Sequence, residues 1–359
     1  MKNLIRGGLS VILTVLVALG AFASGAEEKA EGEFTYEQAV DYAEPSNTQA
    51  QASFTNLKYE AGEVPTIAYM PPATEFNYYM AIGKGIEDLA AEMGADQFLL
   101  APQSGADINA QMGMIQDVIT RGVDVIILST HDEHAAAPLV EQAVNEGIEV
   151  VIVNSDIPDF PTPIHGVVGY SQRKGTRKMG RYAVDLVGDK MVQVGLIEGQ
   201  PGYHSTERVG GFVDVIEQHD NFEIVSSLDG KWNVEGGNTA GMDMLQAHPD
   251  IDLIFAANDY MIMGAEKAAN SLDREDLILL GNDGDTAALE EIHAGSVTAT
   301  VNTTPYVMGR IVLQVALDGL HGNFEGGYVE TPTVIVDQDN VLEYLREPGK
   351  LYPKPSKEY

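Results

Sequence analysis

Two short stretches of this chain carry residue types suited to holding a small polar molecule. Phe255-Ala256-Ala257-Asn258-Asp259 is an apolar run that ends in an adjacent amide and carboxylate. Leu279-Leu280-Gly281-Asn282-Asp283-Gly284 repeats the pattern 24 residues later. Amides donate and accept hydrogen bonds and carboxylates accept them, so together they can satisfy several hydroxyls. Just past the carboxyl ends of parallel strands, such residues face the crevice where ligands bind. Nothing about them suggests a nucleophile or a metal cage. The pattern predicts capture of a polyhydroxylated molecule.

Other chemistries fit the residues less well. His131-Asp132-Glu133-His134 sets two histidines three apart, which would share a helix face. No second ligand cluster accompanies them, so we read them as the start of a helix, with His131 able to touch a ligand. Asn282-Asp283-Gly284-Asp285 opens like a calcium loop, but position twelve falls on His293 or Ala294 where a glutamate is required. Gly199 and Gly202 do not complete a dinucleotide or phosphate loop. No Gly-x-Ser-x-Gly elbow occurs, and a chain without cysteine has no thiol nucleophile. The expectation is therefore a non-enzyme with no catalytic residue, metal or cofactor.

The elements that must position these residues follow from periodicity. Apolar, β-rich runs occur at Thr66–Met70, Gln97–Leu100, Asp124–Ser129, Glu149–Val153, Gly166–Val168 and Val192–Ile197. They continue at Glu223–Ser226, Asp252–Ala257, Leu277–Leu280, Val297–Val301 and Thr333–Val336. Between most of them, apolar residues at helical spacing, such as Ile82-Ile86-Leu89 and Met112-Ile115-Ile119, predict helices. Gly94, Gly122, Gly147 and Gly295 stand where those helices should end. Strand–helix–strand repetition predicts an α/β protein with parallel sheets covered on both faces. Eleven strands suit two sheets better than one. The two doubly wound, Rossmann-like lobes would take the first five strands and the next five.

At 359 residues with 44% hydrophobic content, the chain can build both cores. Its first residues read as an export signal: Lys2 and Arg6, then apolar Leu9–Leu19, then small residues allowing cleavage after Ala23 or Ala26. The apolar run is shorter than the roughly 20 residues a membrane-spanning helix needs. These features predict a soluble periplasmic protein. A net charge of −33 disfavours nucleic acid and anionic lipid as partners. Residues 24–62 are acidic and weakly patterned and read as an extension, with a short helix around Tyr36–Tyr42.

Several segments recur in order along the chain. They are Phe76-Asn77-Tyr78-Tyr79 before a helix containing Gly85, Gly122-Val123-Asp124-Val125-Ile126-Ile127, and Val151-Ile152-Val153-Asn154-Ser155-Asp156. Glu207-Arg208-Val209-Gly210-Gly211-Phe212, Asn258-Asp259, Gly281-Asn282-Asp283-Gly284 and Pro332-Thr333-Val334-Ile335-Val336 follow. From about Pro65 to Leu342 this series resembles the ribose- and galactose-type periplasmic binding proteins, which share the type I fold with lactose-repressor ligand domains. The resemblance implies three crossings between lobes, forming a three-stranded hinge. The amino-terminal lobe would comprise 63–168 plus 303–326 and the carboxyl-terminal lobe 169–302 plus 327–342, leaving 343–359 as a surface appendage.

The resemblance also implies a site. Phe76, Tyr78 and Tyr79 align with the stacking aromatics of the first lobe, Tyr79 being the one best placed to pack under the first helix. Asn154 and Ser155 stand where pentose binders carry an Asp-Arg pair, and losing that arginine weighs against ribose. Asp156 either compensates or caps the turn before Pro158. Arg208 matches the family's ligand arginine and Trp232 its second-lobe ring plate. Asn258 and Asp283 complete the polar set, while Asp259 and Asp285 read as helix N-caps. Asn302 and Thr303 fall where the family places a glutamine. The implied activity is capture of a sugar or polyol by a monomer that docks on the membrane permease of an ABC importer. The alternative is a chemotaxis or autoinducer-2-type signal receptor, since autoinducer-2 binders carry an Asp-Ser-Asp segment similar to Asn154-Ser155-Asp156.

Overall fold

A computed structural model describes residues 58–359, except 61 and 275. The signal segment, both cleavage positions, most of the acidic extension and its expected helix lie outside the described residues.

Strands and helices alternate as expected. The first run is β1 (Thr66–Met70), α1 (Asn77–Met93), β2 (Asp96–Leu99), α2 (Ile108–Arg121), β3 (Val125–Leu128), α3 (Glu133–Asn145), β4 (Glu149–Val153) and β5 (Gly166–Gly169). The second is α4 (Gln172–Val187), β6 (Val192–Glu198), α5 (Tyr203–Ile216), β7 (Phe222–Asp229), α6 (Val234–Ala247), β8 (Leu253–Ala256), α7 (Asp259–Ser271), β9 (Ile278–Asp283), α8 (Thr286–Ala294) and β10 (Ala299–Asn302). The chain ends with α9 (Pro305–Leu320), β11 (Gly327–Glu330), β12 (Val334–Asp337) and α10 (Val341–Leu345). Gly94, Gly122 and Gly295 close α1, α2 and α8 in the left-handed region. α3 instead closes on Glu146, with Gly147 one residue beyond.

Two six-stranded sheets result, ordered β11-β5-β4-β3-β1-β2 and β12-β10-β9-β8-β6-β7. The central strands, such as Val125–Leu128 and Glu149–Val153, are buried along their whole length. That is the environment that β-branched runs covered by helices on both faces require. Helix α9, from far along the sequence, crosses α1 where Gly85 meets the Tyr306 carbonyl and Gly309 meets that of Ile82. A methyl group at either glycine would overlap the facing backbone, so this crossing depends on glycine.

Three expectations need correction. β11 pairs in parallel with β5, so residues 327–330 belong to the first sheet and the third crossing falls after Glu330, not after 326. β12 runs antiparallel to β10, which makes the second sheet mixed rather than purely parallel. The tail is strapped to the second lobe rather than simply appended to its surface. Ser356 bonds Glu290 through its backbone N–H and its hydroxyl, both at 2.6 Å, and the Tyr359 hydroxyl reaches the same carboxylate at 3.0 Å.

Strand order reverses at β1, which lies between β2 and β3, and at β6, which lies between β7 and β8. Crevices form at such switch points, outside the carboxyl ends of the strands. Here the loops leaving both sheets share one space.

Candidate functional site

A cavity lies between the two sheets, lined from both lobes. The first lobe contributes Phe76 from the loop after β1, Tyr78 and Tyr79 from the first turn of α1, His131 after β3 and Asn154 after β4. The Tyr78 hydroxyl donates to Asn154 Oδ1 at 2.9 Å, and Asn154 Nδ2 donates to the Tyr79 hydroxyl at 3.3 Å. Asn154 sits at φ 61°, a left-handed conformation asparagine tolerates better than most residues. Its amide is thereby clamped between two buried tyrosines.

The second lobe faces this wall with His204 and Arg208 from α5, Trp232 after β7, Asn258 and Tyr260 at the start of α7, and Asp283 at the end of β9. Arg208 is held at three points. Its Nε donates to Gln172 Oε1 at 2.9 Å, and Nη1 donates to the Ala257 carbonyl and to Asp283 Oδ1, both at 3.0 Å. Its guanidinium lies 5.4 Å from the centre of the Trp232 ring. Burial raises the Asp283 carboxyl above the ordinary range while Arg208 pulls the other way. Arg208 and Asp283 are each 4% exposed and neutralise one another. The lining is thus aromatic and polar without an uncompensated charge.

The sequence matches the periplasmic binding protein domain family over residues 67–323. The chain belongs to that family. A D-ribose/D-allose-binding protein of Pseudomonas aeruginosa is 31% identical to it, over 77% of this chain and 90% of that one. The ribose import binding protein RbsB of Bacillus subtilis is 29% identical, over 78% and 86%. The fold is shared with a solute-binding protein of Actinobacillus succinogenes solved with D-allose. There the TM-score is 0.72 at 23% identity, covering 78% of this chain and all of that one.

Within this family architecture, nine of the expected contacts line one cavity: Phe76, Tyr78, Tyr79, His131, Asn154, Arg208, Trp232, Asn258 and Asp283. Four others do not line it. The Ser155 hydroxyl turns back to accept from the Ile157 N–H at 3.2 Å. Asp156 accepts from Gln172 and, at 3.1 Å, from the Tyr203 hydroxyl, so it links the lobes instead of facing the cavity. Asn302 accepts from the Thr304 N–H at 2.8 Å, and Thr303 stands behind Tyr78 at 2.7 Å. Asp259 is also not the cap it resembled. Asn258 caps α7 by accepting from Met261 at 2.9 Å, whereas Asp259 braces the turn after β9 through the N–H groups of Gly284 and Asp285 at 2.8 Å. Asp285 does cap α8, accepting from Ala287.

Two lining residues escaped the sequence reading, His204 and Tyr260. Each opens a helix just after a strand end, and Tyr260 is the immediate neighbour of the Asn258-Asp259 pair, so position alone marked both. The Tyr260 hydroxyl accepts from the Asn77 N–H of the opposite lobe at 3.0 Å. His134 is not among the lining residues, and no three His, Asp or Glu side chains among the described residues are placed to hold a metal ion.

Trp232 is held under backbone strain. It and Lys231 both adopt left-handed conformations, at φ 61° and 56°, which is unusual for bulky residues. Its ring lies flat against Gly199, where a Cβ would overlap the indole. Gly199→Ala should therefore displace the ring, costing about 1–3 kcal/mol through overpacking. As Trp232 is the only tryptophan, a shift of its fluorescence emission reports the displacement directly. Unchanged emission and stability would contradict this packing.

Proposed function

We propose that this protein captures an uncharged sugar or polyol between its lobes and delivers it unaltered to the membrane permease of an ABC importer. The observation that carries this reading is the mutually neutralised Arg208–Asp283 pair, buried among aromatic rings supplied by both lobes. An uncharged, hydroxyl-rich guest is what such a lining can satisfy: ring faces for weakly apolar patches, fixed polar groups for hydroxyls. The import role of relatives such as RbsB supports the same reading.

Phe76 and Trp232 would sandwich the ring, with Arg208, Asp283, Asn154 and Asn258 directing hydroxyls. Closure by hinge bending at the three crossings follows if the ligand touches both lobes at once. Residues 1–23 would act as a signal, cleaved after Ala23 or Ala26, leaving a periplasmic monomer without catalytic activity. The signal-receptor alternative drew on Asn154-Ser155-Asp156, and it loses weight because Ser155 and Asp156 do not line the cavity.

The names of the relatives make D-ribose and D-allose the first probes, with D-galactose and myo-inositol beside them. A compound present at 100 times its dissociation constant should add about 2.7 kcal/mol of stability. Differential scanning fluorimetry reads this as a clear rise in melting temperature. No shift with any of a broad sugar and polyol panel would refute the reading.

A further inference from the structure

Two histidines line the cavity from opposite lobes, and the structure assigns each a different tautomer. His131 Nδ1 lies 3.3 Å from the Gly105 carbonyl oxygen. A carbonyl only accepts, so Nδ1 carries the proton and Nε2 is left as a bare acceptor. His204 reaches the opposite outcome through Gln172. The Gln172 amide is oriented from both ends, because Oε1 accepts from Arg208 Nε at 2.9 Å and Nε2 donates to Asp156 Oδ1 at 3.3 Å. His204 Nδ1 lies 2.7 Å from Gln172 Nε2 and 3.0 Å from Gln172 Oε1. A proton on Nδ1 would face the amide N–H group across the shorter contact, so Gln172 Nε2 donates there and His204 keeps its proton on its own Nε2. Burial lowers the pKa of both rings, most strongly for His204, where Arg208 and His131 add to the effect. Both imidazoles are consequently neutral at neutral pH.

We propose that His131 and His204 form a hydroxyl-binding pair across the cleft, the first accepting through Nε2 and the second donating through Nε2–H. A hydroxyl is the group that answers both, donating to one lobe and accepting from the other. The inference rests on the sugar-binding reading above and adds to it a subsite that ties the lobes together through a single ligand hydroxyl. An ether oxygen would satisfy only His204, and a deoxy carbon neither. The pair thus selects ligands that are hydroxylated at this position.

The test combines spectroscopy and calorimetry on the mature protein. Long-range nitrogen–proton correlations on histidine-labelled protein, with no sugar present, should show His131 protonated at Nδ1 and His204 at Nε2. The same tautomer at both positions would overturn the pairing, whether or not any variant folds. Titration calorimetry then follows whichever of D-ribose, D-allose, D-galactose and myo-inositol binds tightest. His131→Phe and His204→Phe should each weaken that compound by on the order of tenfold, and His204→Gln, which keeps an N–H donor, should restore part of the loss. Equal affinity of wild type and both Phe variants would overturn the subsite while leaving the sugar reading intact. If none of the four binds, the tightest compound of the broad sugar and polyol panel takes their place, and failure of that whole panel would remove the sugar reading and this subsite with it.

Discussion

Arg208→Ala should cost about 3–5 kcal/mol of folding stability, the usual penalty for removing one partner of a buried ion pair. Asp283 would be left beneath the surface without its counter-ion, and Gln172 and the Ala257 carbonyl would lose their donor. Sugar binding should fall by at least a hundredfold, since charged hydrogen bonds of about 1.5–3 kcal/mol each would go unmade. Urea denaturation and titration calorimetry measure the two effects separately. Arg208→Lys should rescue neither fully, because one ammonium cannot reach three acceptors that a planar guanidinium spans. If the alanine variant bound its sugar as wild type does, Arg208 would be a structural residue only.

Glu149→Gln, far from the cavity at the amino end of β4, should have the opposite sign. The Glu149 side chain is buried, its Oε1 has no hydrogen-bond partner, and it abuts Gly319. Its nearest ionisable contact is the His165 ring at 3.5 Å, itself neutralised by burial. Burial pushes the Glu149 carboxyl up to about 8, from an ordinary 4.5. Below 4.5 the folded and unfolded chains both hold the proton, and the group has no net effect. Between the two values only the folded chain holds it, so stability falls as pH rises and levels off above 8. Each unit corresponds to at most about 1.4 kcal/mol. Solvent reaches the group past the partly exposed His165, so a total near 2 kcal/mol is the reasonable expectation. The glutamine variant should melt a few degrees above wild type at pH 8.5 and level with it at pH 4. A gain that persists undiminished at pH 4 would point to packing instead of charge.

Periodicity in the sequence was enough to locate both sheets, because fully buried parallel strands leave continuous β-branched runs such as Val125–Leu128. β11 left no such trace. Gly326-Gly327-Tyr328-Val329-Glu330 reads as a turn, and the strand owes its existence to pairing along the open edge of β5 rather than to its own composition. The same limit governed the site. Residues at or just past strand ends, Asn154, Trp232, Asn258 and Asp283, were legible because topology aims them at the crevice. Asp156 carries the same chemistry at a similar offset, yet its carboxylate is taken by Tyr203 and Gln172. Spacing does not reveal such prior commitments. Nor does it reveal His204, whose importance depends on Gln172, a residue 32 positions away in sequence.

The late arrival of α9 and β11 bears on how the molecule comes into being. The first hydrophobic core includes Met308, Ile311, Val312 and Leu313 together with Ile67 and Ile82. Its outer strand comes later still, at residues 327–330. A polypeptide emerging from the ribosome thus lacks the means to finish either half until nearly all of it has been synthesised. Contacts so distant along the chain form slowly. The native packing of each half is therefore completed later than that of a domain built from contiguous chain.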